Sequence, residues 1–347
     1  MKNKNFFKIN IIYYIAMISV AIIFVLGSFG LIQNEFLSSF LIQIVVMFAV
    51  PMLFYSVLVS KNAKQTLSDF GIKKISGRMI LITIGLGFIL YLINSFVADV
   101  FATIINLLGY ENLSTSTSVE FSYGLLFKEF VLSAVLPGIC EEFLHRGLML
   151  HAGKKYGNTR FCLFASSILF GLMHLNINQF FYAAILGFLM GYVSLVADSI
   201  IPSMIIHFMN NALSSYFYYG YYLDWPFAKF IANIEAALMS NVFVFVIVTS
   251  LSIMLLLYLY RLLCKQMYKE RIKQKIISMI KYLELNNLPI EEAQEKINQV
   301  NELMQKMELK KQEEKPKKFT LLEKSFFISS LILGGLITIS SFIWGLI

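Results

Sequence analysis

Pro137-Gly138-Ile139-Cys140-Glu141-Glu142-Phe143-Leu144-His145-Arg146-Gly147 sets two carboxylates, an imidazole and a guanidinium inside a stretch otherwise apolar enough to cross a bilayer. Burying such groups in hydrocarbon costs roughly 2.5–3.5 kcal/mol apiece on insertion scales, so each needs a partner or a task. Glu142 and Arg146 are four apart with the acid first, the favourable helical pairing. Glu141 lies about 100° round the helix, on the side of His145. The pattern therefore predicts that Glu142 and Arg146 neutralise each other and that Glu141 is the carboxylate left for chemistry.

The rest of the chain supplies the membrane. Of its 347 residues 58% are hydrophobic and 14% charged, against about 25% charged in soluble domains, and the mean hydropathy is +0.70. This excludes an ordinary soluble protein and predicts an all-α polytopic membrane helix bundle. About 20 apolar residues cross the hydrocarbon, which gives about nine spans, near 10–32, 36–59, 79–108, 124–153, 160–177, 180–197, 200–219, 241–263 and 325–347. The apolar run after Lys2, Lys4 and Lys8 continues past Gly30 without a small-residue cleavage site and reads as a retained span. Lys61, Lys64, Lys73, Lys74 and Arg78, then Lys154, Lys155 and Arg160, then Arg261 and Lys265, mark three connections as cytoplasmic, with the N-terminus on the same side. The net charge of +8 belongs to this pattern and not to nucleic-acid binding. Cys140, Cys162 and Cys264 are too far apart for a disulfide framework or a thiolate metal site.

The domain reading is N-terminal spans over 1–120, a core over 121–222, an additional span within 223–263, a cytoplasmic helical hairpin over 264–324 and a last span over 325–347. The hairpin carries 14 Lys/Arg against 10 Asp/Glu. Ile290, Ala293, Ile297, Val300, Met304 and Met307 recur at helical spacing in its second half. It either packs on itself or serves self-association, a partner or anionic lipid.

All four histidines, His145, His151, His174 and His207, fall between the fourth and seventh spans. At a rise of about 1.5 Å per residue, Glu141, His174 and His207 lie roughly 20, 21 and 14 Å from Lys154, Arg160 and the cytoplasmic turn at Asp198, so three helices would bring polar groups to similar depth. A carboxylate and neutral imidazoles suit hydrolysis, and Asn211, one turn after His207, adds an amide donor of the kind that stabilises an oxyanion. His145 and His151 read as packing residues. The chemistry alone reaches a polar intramembrane site suited to hydrolysis.

Glu141-Glu142-Phe143-Leu144-His145-Arg146 matches an EExxxR pattern, Phe170 to His174 matches FxxxH, and His207 to Asn211 matches HxxxN. In this order on successive helices they resemble the CPBP (Abi) family, which includes CAAX proteases and bacteriocin-processing intramembrane endopeptidases. The resemblance covers roughly 120–220 and leaves the first spans, the hairpin and the last span outside it. It implies that Glu141 activates water with His174, that His207 and Asn211 stabilise the oxyanion, and that Glu142 and Arg146 order the site while Phe170 is structural. It favours no cofactor. The metal-dependent alternative, with zinc for example, would use Glu141, His174 and His207. The expected function is an intramembrane endopeptidase that cleaves membrane-associated peptides or proteins near the cytoplasmic face, such as pheromone or bacteriocin precursors. The location would be a bacterial cell membrane and the partners peptide substrate and lipid. Two rivals remain. A non-catalytic scaffold regulating a membrane partner such as a sensor kinase need not keep all four motif residues, and a transporter predicts inverted repeats that the chain lacks.

Overall fold

A computed structural model describes residues 2–110, 122–231, 233, 242–286, 298 and 321–344. Every regular element among them is helical. In order these are α1 (Lys2–Ser28), α2 (Phe36–Ser60), a short α3 (Ala63–Asp69), α4 (Gly77–Leu107), α5 (Tyr123–Tyr156), α6 (Thr159–Met173), α7 (Ile177–Ala197), α8 (Ile201–Tyr222), α9 (Val242–Asn286) and α10 (Leu321–Trp344). The protein is a polytopic helical membrane bundle.

All nine expected spans have helical counterparts, but only seven helices among the described residues are both long and apolar enough to cross a membrane. The exceptions have physical causes. α6 has only 15 residues, and α8, though 22 residues long, carries Ser203, His207, Asn210, Asn211 and Ser214. Both border the polar site described below. Residues 1–263 with 319–347 form one compact unit and 264–318 a second. α9 runs without a break past residue 263 to Asn286. The apolar stripe expected in the hairpin, from Ile290 to Met307, lies outside the described residues.

α6 and α7 pack as an antiparallel pair, α4 and α8 lie against each other, and α1 pairs with α10. α5 packs against several of them and, like α2, is irregular. Residues Phe130–Val135 and Phe143–Ala152 are wound as π-helix, on either side of an α-helical turn Leu136–Glu142. Such wide turns are rare and concentrate at functional sites. Pro137 is one cause: its ring crowds the carbonyl four residues back and offers it no N–H.

The loops rich in lysine meet at one end of the bundle. Lys73 and Lys154 both pair with Asp198 in the α7–α8 turn, the latter at 3.2 Å, and Lys155 pairs with Asp69 at the end of α3. Lys8 near the start of α1 donates to the Leu58 carbonyl at 2.7 Å, so this basic end also receives the N-terminal helix. Burial alone would raise the Asp69 carboxyl, but hydrogen bonds from Lys155, Tyr55 and Gln65 outweigh it and hold the group below the ordinary aspartate value. A carboxyl lowered in the folded state stabilises above its unfolded pKa of about 3.9 and loses that contribution as the pH falls further. The thermal midpoint in detergent should therefore drop between about pH 4.5 and 3, and Asp69→Asn should flatten that slope. Equal slopes for the two proteins would show that Asp69 does not couple folding to pH.

Candidate active site

Each site residue is placed by the helix that carries it. Glu141 and Glu142 end the α-helical turn of α5, and Arg146 sits one turn on, in the π-helical stretch. The predicted pair forms: Arg146 Nη1 donates to Glu142 Oε1 at 2.6 Å, with both side chains fully buried. Arg146 also donates from Nη2 to the Gly187 carbonyl at 3.0 Å and stacks on Phe170, its guanidinium carbon 4.5 Å from the ring centroid. Gly187 allows this approach, because a Cβ there would lie 3.1 Å from the Phe170 ring and 3.3 Å from Arg146.

Phe170 is the hub of the cluster. The rings of His145, His174 and His207 pack edge-on around it, with centroids 5.0, 5.1 and 5.4 Å away. The imidazoles of α5, α6 and α8 are thus spaced by one buried aromatic ring. The structural part expected for Phe170 has this geometric basis.

The histidine tautomers follow from their partners. His207 Nδ1 lies 2.9 Å from Glu142 Oε1. A carboxylate only accepts, so Nδ1 carries a proton and donates, and Nε2 lies 3.9 Å from Glu141 Oε2. His174, the residue after α6, donates from Nδ1 to the Phe170 carbonyl at 2.9 Å. Glu141 is 15% exposed at its side chain, against none for Glu142. The two adjacent carboxylates therefore differ in access as well as in partners.

Two cavities meet here. One, of about 470 Å³, has mainly apolar walls that include Val20, Phe24, Ile42 and Met47, with Glu141 and His174 as polar members. The other, of about 490 Å³, is lined by His174, His207, Asn94, Asn210, Asn211 and Ser214 among others. His174 borders both. Glu141, His174, His207 and Asn211 are thus brought to one locality, with Glu141 facing the apolar cavity and Asn211 the polar one.

Four side chains here were not expected from sequence. Gln43, 7% exposed in the middle of α2, donates from Nε2 to Glu141 Oε1 at 2.8 Å. Asn94 of α4 donates to Asn210, which donates to Asn211, each at 3.1 Å. Tyr13 of α1 bonds His145 Nδ1 at 3.0 Å, so His145 is tied to Tyr13 and Glu141 to Gln43. The available signal was an amide inside an apolar span, which is as costly to leave unpaired as the motif residues. Asn211 itself donates from Nδ2 to the Ser133 carbonyl at 2.8 Å. Ser133 lies four residues before Pro137, so Asn211 supplies the donor that the proline lacks. The amide has one further hydrogen, and Asn211 lines the polar cavity.

The alternative ligand set was Glu141, His174 and His207. Among the described residues no three His, Cys, Asp or Glu side chains are gathered to hold a metal ion. His151 stays apart, bonded to Ser194 at 2.8 Å and close to Lys154 at the basic end. Cys140 and Cys162 are free and buried, as packing residues are.

Fold and site define an integral membrane protein with a buried carboxylate and imidazole centre at the junction of two cavities. Residues 123–213 match the family of type II CAAX prenyl endopeptidases, described as Rce1-like. All three sequence motifs fall inside that match, which supports the resemblance to CAAX-type proteases. Comparison with curated proteins and with solved structures returned no match.

Proposed function

We propose that the protein is an intramembrane endopeptidase in which Glu141 is the general base. The family is one of proteases, and the observation that carries the finer reading is the setting of Glu141. Gln43 holds one of its oxygens, while the other faces the acceptor nitrogen of His207 across 3.9 Å. A water between two acceptors gives each a hydrogen and turns its lone pairs outward, towards a carbonyl carbon lodged between the cavities. Glu141 takes the proton as the C–O bond forms, then returns it to the amine as the C–N bond breaks.

Donors must stabilise the oxyanion. Asn211 offers its second amide hydrogen. His207 keeps the second hydrogen of the former water bonded at Nε2, so the hydroxyl of the tetrahedral intermediate stays in place, with Glu142 holding the far side of the ring. Arg146 balances Glu142, and His174 borders the place where the substrate carbonyl would lie.

The test compares peptides and new protein N-termini between cells making the wild-type chain and cells making Glu141→Ala at equal membrane abundance. Products found only with wild type support the protease and reveal its substrate. Identical profiles, with any cellular phenotype surviving the substitution, would replace it by the scaffold reading.

Gln43 makes a narrower prediction. Gln43→Met keeps the bulk and removes the donor to Glu141. One hydrogen bond to a charged group is worth about 1.5–3 kcal/mol, so kcat should fall roughly 10- to 100-fold with KM little changed. Steady-state kinetics with the peptide so identified would check it. A rise in KM at constant kcat would assign Gln43 to substrate binding.

A further inference from the structure

The two cavities and the basic loops lie at opposite ends of the bundle. α1 starts at the basic end, where Lys8 bonds the Leu58 carbonyl, and the apolar cavity is bordered by residues from the other end of that helix, Gly27 and Ser28, and by Ile32 beyond it. α8 also starts at the basic end: the Ile200 N–H bonds the Gly71 carbonyl at 3.0 Å, and Ser199 donates to the Lys73 carbonyl at 2.8 Å. The polar cavity includes Ser214, 13 residues further along α8 and so about 20 Å from that end. His174 and Leu175, in the turn between α6 and α7, border the apolar cavity from the same far end.

The other approach is filled. From Glu142 towards the basic loops all ten residues of Phe143–Ala152 are buried. Behind them Tyr55 and Phe70 are fully covered and pack edge to face, with ring centroids 5.0 Å apart. Gly71 takes positive φ with its backbone so close to the His151 ring that a Cβ would lie 2.4 Å from Nδ1. Neither of the two cavities is lined by residues of that stretch.

From this geometry we infer that substrate reaches Glu141 from the end opposite the basic loops. By the positive-inside rule that is the non-cytoplasmic face, and not the cytoplasmic approach expected from sequence. The inference rests on the protease reading for what enters. The substrate is then an extracytoplasmic or outer-leaflet peptide that lays an apolar segment along α1 and α2. Its next stretch of backbone lies against the amides of Asn210 and Asn211.

A membrane-impermeant maleimide tests the access route independently of turnover. In a Cys264→Ser background, where the remaining cysteines are buried, Ser28→Cys and Ser214→Cys should be labelled in intact cells. Lys61→Cys should be labelled only in inside-out vesicles. Labelling of Ser28→Cys and Ser214→Cys only in inside-out vesicles would overturn the inference, even if the enzyme cleaves peptides. Labelling from outside, with no difference in products between wild type and Glu141→Ala, would leave the access route standing and remove the protease reading.

Discussion

Glu141→Gln is expected to lower kcat by about 10²- to 10⁴-fold, the usual contribution of a positioned general base, while the protein inserts and folds as the wild type does. The separation of the two effects comes from the partners of this side chain. Glu141 is not part of the ion pair; it is bonded to Gln43, and an amide at position 141 still bonds an amide at 43. The change therefore removes the proton acceptor and keeps the packing. It is checked with purified protein in detergent, by turnover of a peptide identified in the cellular comparison and by the thermal midpoint. Wild-type turnover in this variant would refute the glutamate mechanism. A collapsed midpoint would show that Glu141 also holds the helices together.

Arg146→Met should act in the opposite sense, on stability first. The guanidinium is fully buried and joins three elements: Glu142 on its own helix at 2.6 Å, the Gly187 carbonyl of α7 at 3.0 Å and the face of Phe170 on α6. Methionine keeps much of the bulk but leaves the Glu142 carboxylate without its cation, and stranding one member of a buried pair costs about 3–5 kcal/mol. Glu142 also holds His207, so activity should fall with stability. The double change Glu142→Gln with Arg146→Met removes both charges and should recover a large part of the loss, because a neutral buried pair carries no unpaired charge. Unfolding of the four proteins in a double-mutant cycle gives the coupling directly. Additive effects would mean that the pair contributes little and that the Phe170 contact dominates.

Much of this was legible in the chain because the signals were local. Helical spacing alone pairs Glu142 with Arg146, and a guanidinium in hydrocarbon has few other solutions. Apolar runs located the helices that match the nine expected spans, and composition required a bilayer. The boundaries were less legible. α6 and α8 are too short or too polar to read as ordinary spans, because their polarity is satisfied by neighbours that sequence does not display.

The unread part of the site has one physical reason. Gln43, Asn94 and Asn210 are single amides in apolar runs, and their partners lie 98 and 116 residues away or on the adjacent residue. No periodicity encodes such pairs. The bond from Asn211 to the Ser133 carbonyl needed both the proline of α5 and the facing side of α8.

The sequence by itself therefore determined the membrane class and the buried ion pair, since each follows from composition or from spacing along one helix. Only the tertiary structure decided which carboxylate oxygen faces an imidazole, which amides hold the site and at which end its cavities lie. Those depend on how separate helices are packed around Phe170, and that packing is a property of the whole bundle.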